Sequence, residues 1–160
     1  ITQAIDEGVQ IPLLAGDTWE SSVILNAAEG SDAQVYCSTF FDENDTSSTI
    51  AADFVQGFKD FLNSDAQNLT NNGDNDIVAA VSALGYDAYM VAIEAIKAAG
   101  SSDPEAIRDA LAGVSYEGVT GAITFNETGD ANKDMAYIKG VDTVNVAFTF
   151  IKTQTVADID

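Results

Sequence analysis

Residues 77 to 99 limit the possible folds more than any other part of the chain. Ile77, Val81, Leu84, Ala88, Val91 and Ala95 recur at helical spacing, which predicts one long amphipathic helix. Small alanines flank the stripe, and such a face suits close packing against a sheet. Gly100 stops it. Strands to pack against are legible on both sides. Val9-Gln10-Ile11-Pro12-Leu13-Leu14-Ala15-Gly16 reads as a short buried strand. Residues 34–41, rich in β-branched and aromatic side chains, read as a second. Three more strands are predicted over 118–125, 135–141 and 144–152, with a turn at 126–130.

Further helices fill the order. Ser21 or Ser22 can cap a helix over residues 23–29. Residues 50–62 place Phe54, Phe58, Phe61 and Leu62 on one face. Asp103 as N-cap, Pro104 at the first helical position and Glu105 in the first turn open a helix that Gly113 ends, with Ile107, Ala110 and Leu111 as its buried face. Residues 42–48 and 63–76 read as polar loops. The order β-α-β-α-α-α-β-β-β predicts an α/β fold whose last strands are locally antiparallel. The first eight residues read as a helix closed by Gly8 but lacking a start. This predicts a chain that continues from a longer polypeptide; a short genuine N-terminal helix is the alternative.

Charge and composition exclude several functions. The chain has 26 Asp plus Glu against 6 Lys plus Arg and no His, a net charge of −20. Such a surface repels a phosphate backbone and disfavours an anionic membrane, so no nucleic-acid partner is expected. Without His, the commonest general base and metal ligand are missing. Cys37 is the only cysteine, which excludes an intrachain disulfide and a thiolate zinc cluster. The run Asp42-Glu43-Asn44-Asp45-Thr46 alternates oxygens as a calcium loop does, but Ser47 stands where that loop needs Gly, and a solvated loop is the reading preferred. No Ser-x-x-Lys motif and no phosphate-binding glycine loop occurs. A non-enzymatic binding domain without cofactor or metal is expected.

The sharpest local feature is Ala15-Gly16-Asp17-Thr18-Trp19. An acid just beyond the carboxyl end of a strand sits where open α/β sheets bind ligands. A carboxylate beside an aromatic suits a ligand ammonium. The competing reading makes Asp17 a cap for the next helix and Trp19 a core residue.

These residues carry a family resemblance. Ile11-Pro12-Leu13-Leu14-Ala15-Gly16-Asp17-Thr18-Trp19-Glu20-Ser21 resembles the P-I-x-G-G-D-G-W-x-S segment of branched-chain amino-acid binding proteins, the type I solute-binding components of ABC importers. Ala83-Leu84-Gly85-Tyr86-Asp87-Ala88, Asp103-Pro104-Glu105-Ala106-Ile107-Arg108 and Tyr116-Glu117-Gly118-Val119-Thr120-Gly121 follow in the same order. Tyr116 replaces the usual Phe.

The resemblance implies the C-terminal portion of a type I periplasmic-binding-protein fold, a parallel sheet flanked by helices. It implies residues 1–34 as a remnant of the second lobe, 35–41 as a hinge crossing, 42–147 as the C-terminal half of the first lobe, and 148–160 as a second crossing and tail. Asp17 then matches the acid that receives the ligand's α-ammonium, with Thr18 and Trp19 beside it. Val81 matches a ligand-facing position; plain core is its other reading. The implied partners are an amino acid or similar small polar ligand and a membrane permease. A second copy, or a missing N-terminal portion, would cover the remaining faces. The implied location is periplasmic, or extracellular as a membrane-anchored lipoprotein. A ligand-sensing domain of the same fold is the alternative function.

Overall fold

A computed structural model describes residues 1–45 and 47–155. Thr46, which ends the acidic run weighed for calcium, and the 156–160 end of the segment expected to form the second crossing and tail lie outside the described residues. The elements run α1 (Thr2–Asp6), β1 (Leu13–Ala15), a 3-10 turn (Asp17–Trp19), α2 (Ser22–Ala28), β2 (Val35–Thr39), α3 (Thr49–Asn63) and α4 (Ala66–Asn71). They continue with α5 (Ala80–Ala99), α6 (Pro104–Leu111), β3 (Tyr116–Gly118), β4 (Gly121–Ile123), β5 (Met135–Asp142) and β6 (Ala147–Thr155). One four-stranded sheet has the order β1-β2-β5-β6, and β3 with β4 forms a separate hairpin. β1 and β2 pair in parallel, whereas β2/β5 and β5/β6 are antiparallel, as predicted for the last strands.

Local signals set most helix ends. The Asp103 carboxylate accepts from the amides of Glu105 and Ala106, each at 3.0 Å, with Pro104 just inside the helix. Gly8 and Gly100 both take positive φ, 67° and 59°, where a side chain would be strained. The 63–76 stretch, expected to be loop, contains α4. Asp65 nucleates it by accepting from the Gln67 amide at 2.7 Å, a cap hidden in a run of polar residues. The predicted strand 9–16 shrinks to Leu13–Ala15 at the sheet edge, so Leu14 is 66% exposed rather than buried.

The long helix departs from its apolar stripe in an instructive way. Ala80, Ala83, Asp87, Val91 and Ala95 are buried, while Val81 and Ala88 are exposed. Two apolar clusters meet this face. Phe41, Ala51, Val78 and Val119 pack around its start, and Val114 and Ile123 around its end with Ile107 and Leu111 of α6.

A carboxylate sits between these clusters. Asp87 is 1% exposed and accepts from the Val119 amide (2.8 Å), the Thr120 amide (2.8 Å) and the Thr120 hydroxyl (2.7 Å). These donors lie where the expected single strand 118–125 turns back on itself as β3 and β4. At Gly118 a Cβ would stand 2.5 Å from Asp87 Oδ1, so only glycine admits the carboxylate there. Replacing Asp87 by Ala strands two amides in a dry site. It is expected to destabilise the chain by about 2–4 kcal/mol in urea denaturation. A loss below about 0.5 kcal/mol would show that the hairpin does not depend on Asp87.

Candidate functional site

β1 ends at Ala15, paired with Cys37 of β2, and the backbone turns at Gly16 into the Asp17–Trp19 turn. This turn packs against β2 and against the start of α5. Asp17 and Trp19 are half-buried and Thr18 is exposed. Asp17 caps no helix. The N-cap position of α2 is Ser21, which makes no side-chain cap bond either. Among the described residues the Asp17 carboxylate has no hydrogen-bond or ion-pair partner. Val81 lies in the first turn of α5 and is 56% exposed, outside both apolar clusters. The structure therefore brings the turn and the helix start together and leaves Asp17 and Val81 accessible.

The next residue behaves oppositely. Glu20 is buried, and its Oε1 receives Lys139 Nζ of β5 at 2.5 Å. Its Oε2 accepts from the Ala80 amide at 2.8 Å and from the Thr39 hydroxyl at 3.1 Å. Lys139 also lies 3.4 Å from Asp42 Oδ1, so one buried ammonium serves two buried carboxylates. Glu43 adds a second tie to the same helix start. Its Oε2 accepts from the Val78 amide at 3.2 Å and pairs with Lys59 Nζ at 2.8 Å. A cavity of about 200 Å³ adjoins the buried pair, lined in part by Ile77, Phe148 and Phe150; its lining does not include Asp17, Thr18, Trp19 or Val81.

The loop weighed for calcium has other occupations. Asp42 accepts from the Asn44 amide at 3.1 Å, and Asp45 accepts from the Ser47 amide at 2.9 Å and the Tyr137 hydroxyl at 2.8 Å. Those hydrogen bonds hold Asp45 below the usual carboxylate range. Burial, with the hydrogen bond to Asp45, pushes the Tyr137 phenol up to about 12.

Glu20 and Lys139 received no role from sequence reasoning, and Asp42, expected in a solvated loop, is instead buried against Lys139. The available signal was a lysine inside a predicted strand, between Ile138 and Gly140, in a chain with only 6 cations. A cation in such a place has to be paired.

The chain matches the family described as periplasmic binding protein over residues 1–143. Among solved structures, the leucine binding protein LivK of Thermotoga maritima is 29% identical. It superposes with a TM-score of 0.78 over 99% of this chain and 41% of its own. The branched-chain amino acid transporter substrate binding protein LivJ of Streptococcus pneumoniae, solved with isoleucine, is 23% identical, with a TM-score of 0.67 over 94% of this chain and 40% of its own. An ABC transporter substrate-binding protein from Desulfitobacterium hafniense, solved in complex with Leu, is 24% identical, with a TM-score of 0.62 over 92% and 38%. These last two share the fold. The chain thus spans less than half the length of these relatives. No protein of curated function is a significant match.

Cys37 lies beneath this site, 1% exposed, with its thiol pushed up to about 11 by burial and then by the Glu20 charge. The thiolate is the reactive form. A disulfide reagent at about pH 8 is therefore expected to leave Cys37 unmodified in the native chain and to react once urea unfolds it. Fast reaction without denaturant would show that β2 is open to solvent.

Proposed function

The chain belongs to the periplasmic binding protein family, and on that premise we propose that it forms part of the solute-binding component of an ABC importer. In this reading the protein captures a branched-chain amino acid non-covalently in a cleft between two lobes. The carrying observation is the Asp17 carboxylate, half-buried at the end of β1 and without a partner among the described residues. A ligand α-ammonium supplies the missing donors as charge-assisted hydrogen bonds. Thr18 and Trp19 flank it, and the indole face offers the cation an aromatic wall. Val81 takes the side-chain end of the ligand. Its own small side chain leaves room for a branched aliphatic group. The ligand class is supported by the name of the leucine binding protein that this chain resembles.

We assign residues 1–34 to the second lobe, 35–41 to the first crossing, 42–147 to the first lobe and 148–160 to the second crossing and tail. Ile11, Leu14, Val23 and Tyr89 stand exposed, which supports a further covering surface. That cover is the remainder of a longer chain or a second copy. No helix among the described residues is long and apolar enough to cross a membrane. The family's description supports a place outside the cytoplasmic membrane, periplasmic or extracellular as a membrane-anchored lipoprotein, from which ligand passes to a membrane permease.

The groups that grip the ligand carboxylate are assigned to the length of the relatives that this chain does not span. Without them, closing on a zwitterion desolvates an unpaired charge at a cost of several kcal/mol. Leucine binding to the 160-residue chain is therefore expected to be on the order of millimolar, read as amide NMR shifts at residues 16–20 and 79–83. Asp17→Asn, which keeps the shape and removes the charge, should bring that response below detection. An unchanged response would sink the role of Asp17, and micromolar binding by calorimetry would sink the half-cleft reading. Light scattering should show self-association of the chain alone; a monodisperse monomer would count against a second copy as the cover.

A further inference from the structure

We infer that Glu20 is a positioning residue, holding the ammonium-binding turn and the first turn of α5 at one fixed separation so that Asp17 and Val81 meet the same ligand. This rests on the binding role proposed above for those two residues. Three observations carry it. Glu20 directly follows the Asp17–Trp19 turn, so the path of that turn is tied to where its carboxylate is anchored. The carboxylate is engaged from three elements at once: Lys139 of β5, Thr39 of β2 and the Ala80 amide of α5. Lastly, α5 has no cap of its own. Its N-cap residue is Ala79, and Glu20 supplies the missing acceptor from 60 residues away.

Stability is a poor account of this arrangement. A buried ion pair returns little net free energy, because desolvating both charges offsets their attraction. What a carboxylate with three anchored donors does supply is a defined position. Removing it does not leave Lys139 alone, since Asp42 remains 3.4 Å away. Nor does it free the entry to α5, since Glu43 still holds the Val78 amide. Loss of the Glu20 acceptor should therefore loosen the spacing between turn and helix more than it loosens the fold.

Two variants of similar size separate those effects. Glu20→Gln keeps an oxygen that can accept from Ala80 and Thr39. Glu20→Leu fills the same space with no acceptor, and both remove one negative charge. In the 160-residue chain, leucine titration followed by amide NMR should give an affinity within about twofold of the parent for Glu20→Gln. For Glu20→Leu it should be about tenfold weaker or worse, with both variants still melting cooperatively. Equal affinities for the two folded variants would overturn the inference.

Two readouts do not depend on ligand. Hydrogen exchange of the Ala80 amide should accelerate in Glu20→Leu, and emission from Trp19, the single tryptophan, should shift. If the parent chain shows no leucine response, the binding role of the site fails, and these two signals alone decide the tether; both unchanged would overturn it. Should Glu20→Leu fail to fold, Glu20→Asp replaces it. That variant keeps the charge but is one methylene too short to reach Lys139 and Ala80 together, and it is expected to show the same loss; parent-like behaviour would overturn the inference.

Discussion

A single carboxylate, that of Glu20, joins the end of the parallel strand pair to the start of the longest helix and to the antiparallel half of the sheet. Its partners come from β2, β5 and α5, elements far apart in sequence. Around this point the geometry of the site is decided. The Asp17–Trp19 turn has three residues and none of them is fully buried, so its own packing cannot fix it. Anchoring the residue that follows does.

Asp87 repeats the device further along the same helix. Here too a buried acid on one element collects backbone amides from another, and a glycine at residue 118 makes the room. The two acids act differently on stability. Asp87 satisfies a hairpin bend that would otherwise leave amides dry, which makes it a folding requirement. Glu20 holds a place where its buried cation, Lys139, keeps a second carboxylate in Asp42. The Asp87 bonds join the motif around Gly85-Tyr86-Asp87 to the one around Gly118-Val119-Thr120, far apart in sequence, as one structural unit.

The same distinction marks what could be read from the sequence. Caps formed by neighbouring residues were legible: Asp103 with Pro104, and the left-handed glycines at 8 and 100, stand where local chemistry puts them. The parallel start and antiparallel finish of the sheet followed from element order. The errors arose where a distant group intervened. The stripe on α5 was read from apolar residues, but its buried face includes Asp87, which hydrophobic periodicity rejects. The strand expected over 118–125 is split by the amides that turn toward that acid. β1 read as buried because its run is apolar, yet no strand among the described residues pairs with its outer edge. The position of Asp17 just beyond a strand was legible. The burial of Glu20 was not, because its anchoring depends on Lys139, 119 residues away.

Electrostatics bears on the ligand role proposed for Asp17, one of 26 acids. Asp17, Glu20 and Lys139 all lie close enough to bias the Cys37 thiol, so they share one neighbourhood. The one ammonium there is already shared between Glu20 and Asp42 at 2.5 and 3.4 Å. That ammonium answers one of their two negative charges, in a buried setting where such pairing is strong. Asp17 is left outside that arrangement, with its oxygens accessible and no cation of its own. A field of this kind favours a small cation arriving at one point of the rim, and disfavours a second anion anywhere near it. An α-ammonium meets the first condition. The carboxylate of the same amino acid meets the second as a repulsion, which supports the proposal that its donors come from the length of the relatives that this chain does not span.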